Sequence, residues 1–153
     1  MKKLYSLSTL LVMLLLFTGC SKDILKPYDD RIEGVWELTD VDKVGFGSTN
    51  LDFTGGRFTF YGNGRLEYED GGGGFYEGRW DIRKRNIPDC YVDEYGNSMC
   101  DSRFVRTLSM NVTDFTNHDM RTEFFDEIVF TGTNRFKAYL YDGNRTYVFR
   151  FRR

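Results

Sequence analysis

Histidine, proline and cysteine are scarce in this chain, and neither sign of charge dominates it. Its 153 residues include one histidine, two prolines and three cysteines, with 21 lysines and arginines against 23 aspartates and glutamates. Nucleic-acid-binding proteins carry a basic excess or stripe, so this balance argues against that class. One histidine and the lack of a Cys-x-x-Cys pair argue against a zinc site. We therefore expect no metal, no cofactor and no nucleic-acid partner.

Aromatic residues and glycine are abundant instead, with 14 phenylalanines, 10 tyrosines, two tryptophans and 16 glycines. From Ile32 onward, short aromatic or β-branched segments alternate with glycine, asparagine and aspartate, which is typical of strands and turns. Helical periodicity is hard to find. We predict one all-β domain over residues 32–153, with about eight antiparallel strands: Val35–Val41, Arg57–Tyr61, Arg65–Glu69, Phe75–Arg83, Phe104–Val112, Phe124–Thr131, Arg135–Tyr141 and Thr146–Phe151.

The short turns favour pairing between strands that are neighbours in sequence. Eight such strands form a meander with two exposed edges, and closing the sheet into a barrel removes both edges. An up-and-down antiparallel barrel is therefore the simplest architecture. A two-sheet β-sandwich is the alternative that periodicity leaves open.

The N-terminal residues are typical of an export signal. Lys2 and Lys3 precede an apolar run over residues 10–17. A membrane-spanning helix needs about 20 apolar residues, so this run is too short to span and suits a signal peptide. We predict a lipoprotein signal peptide over residues 1–19.

The run ends at Phe17-Thr18-Gly19-Cys20, which resembles a bacterial lipobox. The resemblance implies that Cys20 carries a diacylglyceryl thioether and acyl chains such as palmitate, which together anchor a protein stably to a membrane. Residues 20–31 would then be the lipidated cysteine and a polar tether. Ser21 favours the outer membrane under the lipoprotein sorting rule, and both the periplasm-facing and the surface-facing orientation remain open.

With Cys20 lipidated, Cys90 and Cys100 are the two remaining cysteines. In an oxidising compartment they are a natural disulfide pair, and two free thiols are the alternative.

The segment Ile32-Glu33-Gly34-Val35-Trp36-Glu37-Leu38 resembles the Gly-x-Trp start of lipocalin-like (calycin) proteins, including small lipoproteins of Bacteroides-type bacteria. The resemblance implies a lipocalin-like barrel in which Gly34 permits close packing and Trp36 plugs the base. It also implies an arginine from the last strand packed across the tryptophan ring. Side-chain parity favours Arg153 for this role, and a frayed terminus would bring Arg152 instead.

Side chains in phase with the apolar face either line a small apolar pocket or fill the interior. The candidate ligand-binding residues are Phe58, Phe60, Tyr68, Trp80, Met110, Phe130, Phe136, Tyr147 and Phe149.

Residues 89–101 are a predicted loop closed by the disulfide. The loop carries acidic residues and the apolar anchors Tyr91, Tyr95 and Met99, which suits contact with a protein partner. Its acids, Asp89, Asp93, Glu94 and Asp101, match no calcium-binding pattern. Gly71–Gly74 is either a lid over one barrel mouth or a slack connection.

No motif supports catalysis. His118 lies in a polar stretch without an oriented nucleophile, and Asp126 and Glu127, adjacent on a strand, point to opposite faces. We expect a lipid-anchored, non-enzymatic outer-membrane protein that binds a small apolar ligand or an envelope component. The alternative is a partner-binding or inhibitor lipoprotein that acts through the 89–101 loop.

Overall fold

The computed structural model describes residues 26–47, 49–92 and 94–153. The signal peptide, Cys20 and most of the predicted tether lie outside this part of the chain. The described elements are α1 (Tyr28–Ile32), β1 (Gly34–Val44), β2 (Gly56–Phe60), β3 (Arg65–Glu69), β4 (Phe75–Val92), β5 (Ser98–Asp114), β6 (Asp119–Phe125), β7 (Glu127–Gly132), β8 (Arg135–Asp142) and β9 (Arg145–Arg152). The all-β prediction is confirmed.

The strands form one antiparallel sheet in the order β6-β5-β4-β3-β2-β1-β9-β8-β7. Sequence neighbours pair with each other as predicted except for β6 and β7, and the first and last strands, β1 and β9, also pair, with Leu38 opposite Phe151. Across the described ranges the ladder therefore stays open between β6 and β7 and does not close into a barrel. Within the described residues the hydrogen-bonded ladder is therefore a single sheet and not the two sheets of a sandwich. A register shift between Leu38 and Asp40 is typical of a β-bulge and increases the local twist.

The two edge strands of this order, β6 and β7, follow one another in the chain with Asp126 alone between them. β6 pairs with β5, whereas β7 pairs with β8. The Asp126 amide donates to the Tyr139 carbonyl at 2.9 Å, and its carboxylate accepts a hydrogen bond from the Tyr141 amide at 2.9 Å. The predicted sixth strand is therefore two strands joined at Asp126, which makes nine strands rather than eight.

This junction changes which side chains face the core. A continuous strand places alternate residues on one face, and that alternation predicts Phe124 in phase with Ile128. In the structure Phe125 and Ile128 are both buried, while Phe124 is 48% exposed. The prediction for Phe124 is wrong because the bend at Asp126 shifts the alternation by one residue.

One face of the sheet holds the core, which is dominated by aromatic rings in mutual contact. The Phe136 and Phe151 rings stack at 4.3 Å, and the Phe125 ring lies 4.8 Å from that of Phe149, which joins β6 to β9 across the interior. Phe58 contacts Phe151 at 5.5 Å. Burying an aromatic side chain contributes about 1.5–3 kcal/mol, so this cluster is the main source of stability.

α1 covers one end of the sheet, which we call the base. Ile32 is fully buried, and the Tyr28 ring lies 5.1 Å from that of Phe130 in an edge-to-face contact. The last residues of the predicted tether are thus helical and packed on the domain. No helix in the described ranges is long and apolar enough to cross a membrane.

Candidate functional site

Strands β4 and β5 form a hairpin that is much longer than the sheet beside it. β3 pairs with β4 only as far as Arg79, and β6 pairs with β5 only from Leu108. Ten successive pairs, from Arg83–Thr107 to Val92–Ser98, extend beyond those neighbours. At about 3.3 Å per residue, this extension is roughly 30 Å long. The prediction that residues 89–101 form a loop is thus wrong, since most of this segment is paired strand at the hairpin tip.

A disulfide joins the two strands close to the tip. Cys90 lies opposite Cys100 in the ladder, with the sulfur atoms 2.12 Å apart and the Cα atoms 4.0 Å apart. A cross-link over ten residues contributes about 3 kcal/mol in the chain-entropy model. The bridge therefore replaces the packing that a strand normally receives from a core, because both faces of the tip are in solvent.

The tip displays large apolar side chains to solvent. Tyr91 and Met99 lie directly opposite each other on one face and are about half exposed, and Tyr95 in the turn is 81% exposed. Phe104 is also exposed, and the ammonium group of Lys84 lies 3.7 Å from the centre of its ring. Exposed aromatic and methionine side chains of this kind are enriched in the cores of protein interfaces.

Charge is divided along the hairpin. Asp89 and Asp101 are directly opposite on the tip and have no ion pair within the described residues. Basic residues lie nearer the sheet, at the root: Lys84, Arg85, Arg103 and Arg106. The Arg103 guanidinium donates two hydrogen bonds of 3.2 Å to the Glu127 carboxylate, and Arg106 lies 5.7 Å from the Tyr28 ring. The hairpin is therefore acidic at its tip and basic at its root, and the root lies beside α1.

The base of the sheet contains the three residues that the lipocalin resemblance singled out. Trp36 is fully buried and donates from Nε1 to the Ile32 carbonyl at 2.6 Å. The Arg153 guanidinium lies 4.2 Å from the centre of the Trp36 ring, so Arg153 takes this position and not Arg152. Gly34 has φ of +108°, and a Cβ there would lie 3.5 Å from the Arg153 guanidinium. The positive φ favours glycine at this position, whereas 3.5 Å is an ordinary van der Waals contact that a Cβ could make.

The nine candidate ligand-binding residues lie in or against the core. Phe58 stacks on Tyr68 at 4.5 Å, Phe60 contacts Trp80 at 5.7 Å, and Phe130 contacts Phe136 at 5.5 Å. Met110, Tyr147 and Phe149 are buried among them. Most of their surface is therefore used in contacts with one another.

Tyr147 has one unusual feature. Its hydroxyl is the only buried side-chain polar atom of the described residues without a hydrogen-bond partner. Leaving a buried hydroxyl unpaired costs about 1–3 kcal/mol.

The end of the sheet opposite the base, the mouth, carries a polar cluster that the sequence did not predict. The Arg121 guanidinium forms ion pairs with Asp119 at 3.2 Å and Asp70 at 3.3 Å, and lies 4.5 Å from the Tyr76 ring centre. Burial and the hydrogen bond to Asp119 raise the pKa of Tyr76 to about 12. Hydrogen bonds from Tyr76 and Arg121 lower the pKa of Asp119. Because the members are distant in sequence, no local pattern reveals the cluster.

Gly71–Gly74, for which the sequence leaves both a lid and a slack connection open, is an ordered turn. The Asp70 carboxylate accepts hydrogen bonds from the amides of Gly72 and Gly74, at 3.0 and 2.6 Å. The mouth is instead covered by the segment before β2, where Phe53 is fully buried against Phe58 and Tyr68. Asp52 accepts a 2.7 Å hydrogen bond from the Thr122 amide of β6.

The remaining candidates show no reactive geometry. His118 has φ of 57°, a left-handed turn conformation, beside Asp114, whose carboxylate accepts hydrogen bonds from Thr116 and Asn117. These hydrogen bonds, chiefly the one from the Asn117 side chain, lower the pKa of Asp114. No group of three metal-ligating side chains occurs in the described part of the chain, and Asp93 lies outside it.

Neither a family model, nor a curated protein, nor a solved structure matches the chain.

Proposed function

We propose that the protein is a non-catalytic lipoprotein of the bacterial outer membrane that presents the β4–β5 hairpin to a protein partner of the cell envelope. Acyl chains on Cys20 hold it at the membrane, and the described domain begins only a few residues later, at α1. The observation that carries the proposal is the hairpin itself, a stapled projection with exposed aromatic side chains and no core of its own.

In this proposal the hairpin is carried by a lipocalin-like barrel with eight strand positions around its circumference. β6 and β7 together occupy one of these strand positions. Three observations support it. β6 and β7 are separated by one residue, β7 lies beside β5, and the Arg103–Glu127 ion pair joins these two strands. The packing of Arg153 on Trp36 supports the resemblance at the base.

Contact through the hairpin is better supported than an interior apolar ligand. The aromatic side chains proposed to line a pocket pack on each other at ring distances of 4.5–5.7 Å. A drug-sized ligand needs a cavity of roughly 300 Å³ or more, which would require these rings to separate. By contrast, the side chains of Tyr91, Tyr95 and Met99 are already exposed to solvent.

A photo-crosslinking amino acid at position 95 of the full chain, expressed in its native cells, tests the proposal. The matched control is the same amino acid at Phe46, which is 99% exposed but belongs to a different loop. We expect a discrete protein adduct from position 95 and none from position 46. Excess wild-type domain should prevent formation of the adduct from position 95 by competing for the partner. A Tyr91→Ala/Met99→Ala variant should compete about 30-fold less well, since interface anchors contribute about 2 kcal/mol or more to binding.

Equal adducts from both positions, or equal competition by the variant, would reject the hairpin as the binding site. A second candidate, a small interior ligand with an apolar body and one polar group, is favoured by the unpaired Tyr147 hydroxyl alone. Native mass spectrometry of the protein purified from its own envelope separates the two, because only the second predicts a retained small-molecule mass.

A further inference from the structure

The hairpin has two outer edges, which differ in the backbone hydrogen-bonding groups that they present to solvent. The 4.0 Å Cα separation of Cys90 and Cys100 is typical of a non-hydrogen-bonded pair, whose backbone groups point away from each other. Pro88 and Ser102 form the pair two residues away and share this orientation. On the β4 edge, proline removes the donor that would point outward at that position. On the β5 edge, Ser102 keeps both backbone groups.

The β5 edge is free over its distal part. Residues 98–104 are exposed, and Val105, which is 4% exposed, is where the body of the domain begins. Within the described residues, β6 pairs with β5 only from Leu108. An edge with unpaired backbone groups is a template for an added strand.

The sequence of this edge is complementary to itself. When two copies of β5 run antiparallel with Ser102 opposite Ser102, Asp101 of each copy lies opposite Arg103 of the other, whose guanidinium within its own chain bonds to Glu127 and would be shared between the two carboxylates. Directly opposite residues of an antiparallel pair share a face, so both contacts join opposite charges. A cation then approaches Asp101, which within its own chain faces the like charge of Asp89.

The charge along the whole hairpin favours the same arrangement. Antiparallel pairing brings the tip of each hairpin towards the root of the other. The acidic tip, with Asp89 and Glu94, then approaches the basic root, with Lys84 and Arg106. A parallel arrangement would instead place tip beside tip and root beside root.

We propose that two copies of this chain associate through the β5 edge, with a two-fold axis at Ser102 and a four-stranded sheet made of both hairpins. The contact is isologous, because the same edge serves both copies. It goes beyond the function proposed above, since it depends neither on an envelope partner nor on a ligand.

Disulfide trapping tests the register. In the full-length lipoprotein, Ser102→Cys adds a thiol at the axis, where the opposing Cα atoms would lie about 5.5 Å apart, within disulfide range. Ser98→Cys is the matched control, because position 98 is equally exposed and on the same face but lies opposite Arg106 of the second copy. We expect mild oxidation in native membranes to produce a 102–102 dimer about tenfold faster than any 98–98 dimer, reflecting the high effective concentration at the axis.

Charge reversal tests the recognition. Asp101→Arg places two pairs of like charges across the axis and should remove the Ser102→Cys dimer, and adding Arg103→Asp should restore it. Circular dichroism would first establish that each variant is folded. The proposal is overturned by equal trapping at positions 98 and 102, by trapping that Asp101→Arg leaves unchanged, or by a monomer at every position. Adducts between position 95 and another protein, without 102–102 trapping, would overturn the dimer and leave the proposed function intact.

Discussion

The Arg153 guanidinium lies 4.2 Å from the centre of the Trp36 ring, so the last residue of the chain covers the first strand of the sheet. The same guanidinium donates a 2.9 Å hydrogen bond to the Arg31 carbonyl at the end of α1. Arg153 thereby links the C-terminus, β1 and the N-terminal helix at the base.

Replacing Arg153 by alanine should therefore destabilise the domain although the residue is terminal. Cation–π contacts contribute about 0.5–2 kcal/mol, and the hydrogen bonds to carbonyl groups add to the loss. We expect the free energy of unfolding in urea to fall by about 1–3 kcal/mol. Arg152→Ala is the matched control and should change it by less than about 0.5 kcal/mol, as exposed substitutions do. Equal effects would mean that the Trp36 contact contributes nothing.

Removal of the disulfide should loosen the hairpin and leave the core intact. A Cys90→Ser/Cys100→Ser variant loses a constraint of about 3 kcal/mol, which corresponds to roughly 100-fold more frequent opening of the tip. Hydrogen exchange should accelerate in residues 84–103, and a protease should cut there first. Exchange in β1, β8 and β9 serves as the internal control. Faster exchange throughout the sheet would show instead that the bridge stabilises the whole fold.

Tyr76 should make the domain less stable at high pH. Its pKa is raised to about 12, so the folded state keeps a proton that the unfolded chain releases near pH 10. Unfolding is then favoured as pH rises from about 10 to about 12, and the contribution is fully present below pH 10. Urea unfolding at pH 8 and pH 11 measures the decline. Tyr76→Phe should make the decline smaller, and an unchanged slope would exclude Tyr76 as its source.

The Tyr147→Phe substitution distinguishes an interior packed with the protein's own side chains from one that holds a small-molecule ligand. If the hydroxyl has no partner, its removal should raise the free energy of unfolding by about 1 kcal/mol, because a buried polar group no longer goes unpaired. Tyr68→Phe is a useful control, since the Tyr68 hydroxyl donates to the Gly55 carbonyl at 2.9 Å, and its loss should destabilise. A less stable Tyr147→Phe protein that also loses a bound small molecule would favour the interior-ligand function.

Cys20→Ser tests the anchor. A lipoprotein loses its acyl chains with that substitution, and the hydrophobic run alone is too short to span a bilayer. We expect no incorporation of labelled palmitate and release of the protein from the membrane fraction. Lys22→Ala, two residues further on, should leave labelling unchanged. Palmitate incorporation by Cys20→Ser protein would disprove lipidation at this position.

Several strands were predictable because local chemistry defines them. β3 has the predicted bounds Arg65–Glu69. The Gly62-Asn63-Gly64 turn separates it from β2 and so sets the residue at which β3 begins. Gly64 has φ of +80°, and the Asn63 side chain accepts a hydrogen bond from the Arg65 amide. Both features are properties of the turn residues themselves.

The errors arose where burial does not follow the local pattern. The distal parts of β4 and β5, residues 84–92 and 98–104, have no buried face, so their side chains show no alternation and resemble a loop. Asp126 interrupts a strand that reads as continuous, since its amide and carboxylate bond to Tyr139 and Tyr141 of β8, which lie outside the local window of that strand. The Arg121 cluster at the mouth was missed for the same reason.

The amino-acid sequence by itself determined the all-β class, most strand positions and the cysteines available for pairing, because these depend on side-chain periodicity, turn residues and composition. Only the tertiary structure decided that β6 and β7 stay unpaired among the described residues, that Arg153 rather than Arg152 covers Trp36, and that β4 and β5 continue into a free hairpin. These features depend on contacts between segments up to 122 residues apart, such as the hydrogen bond from Arg153 to the Arg31 carbonyl. Such contacts form only when the whole sheet is assembled, so no local window of the chain contains them.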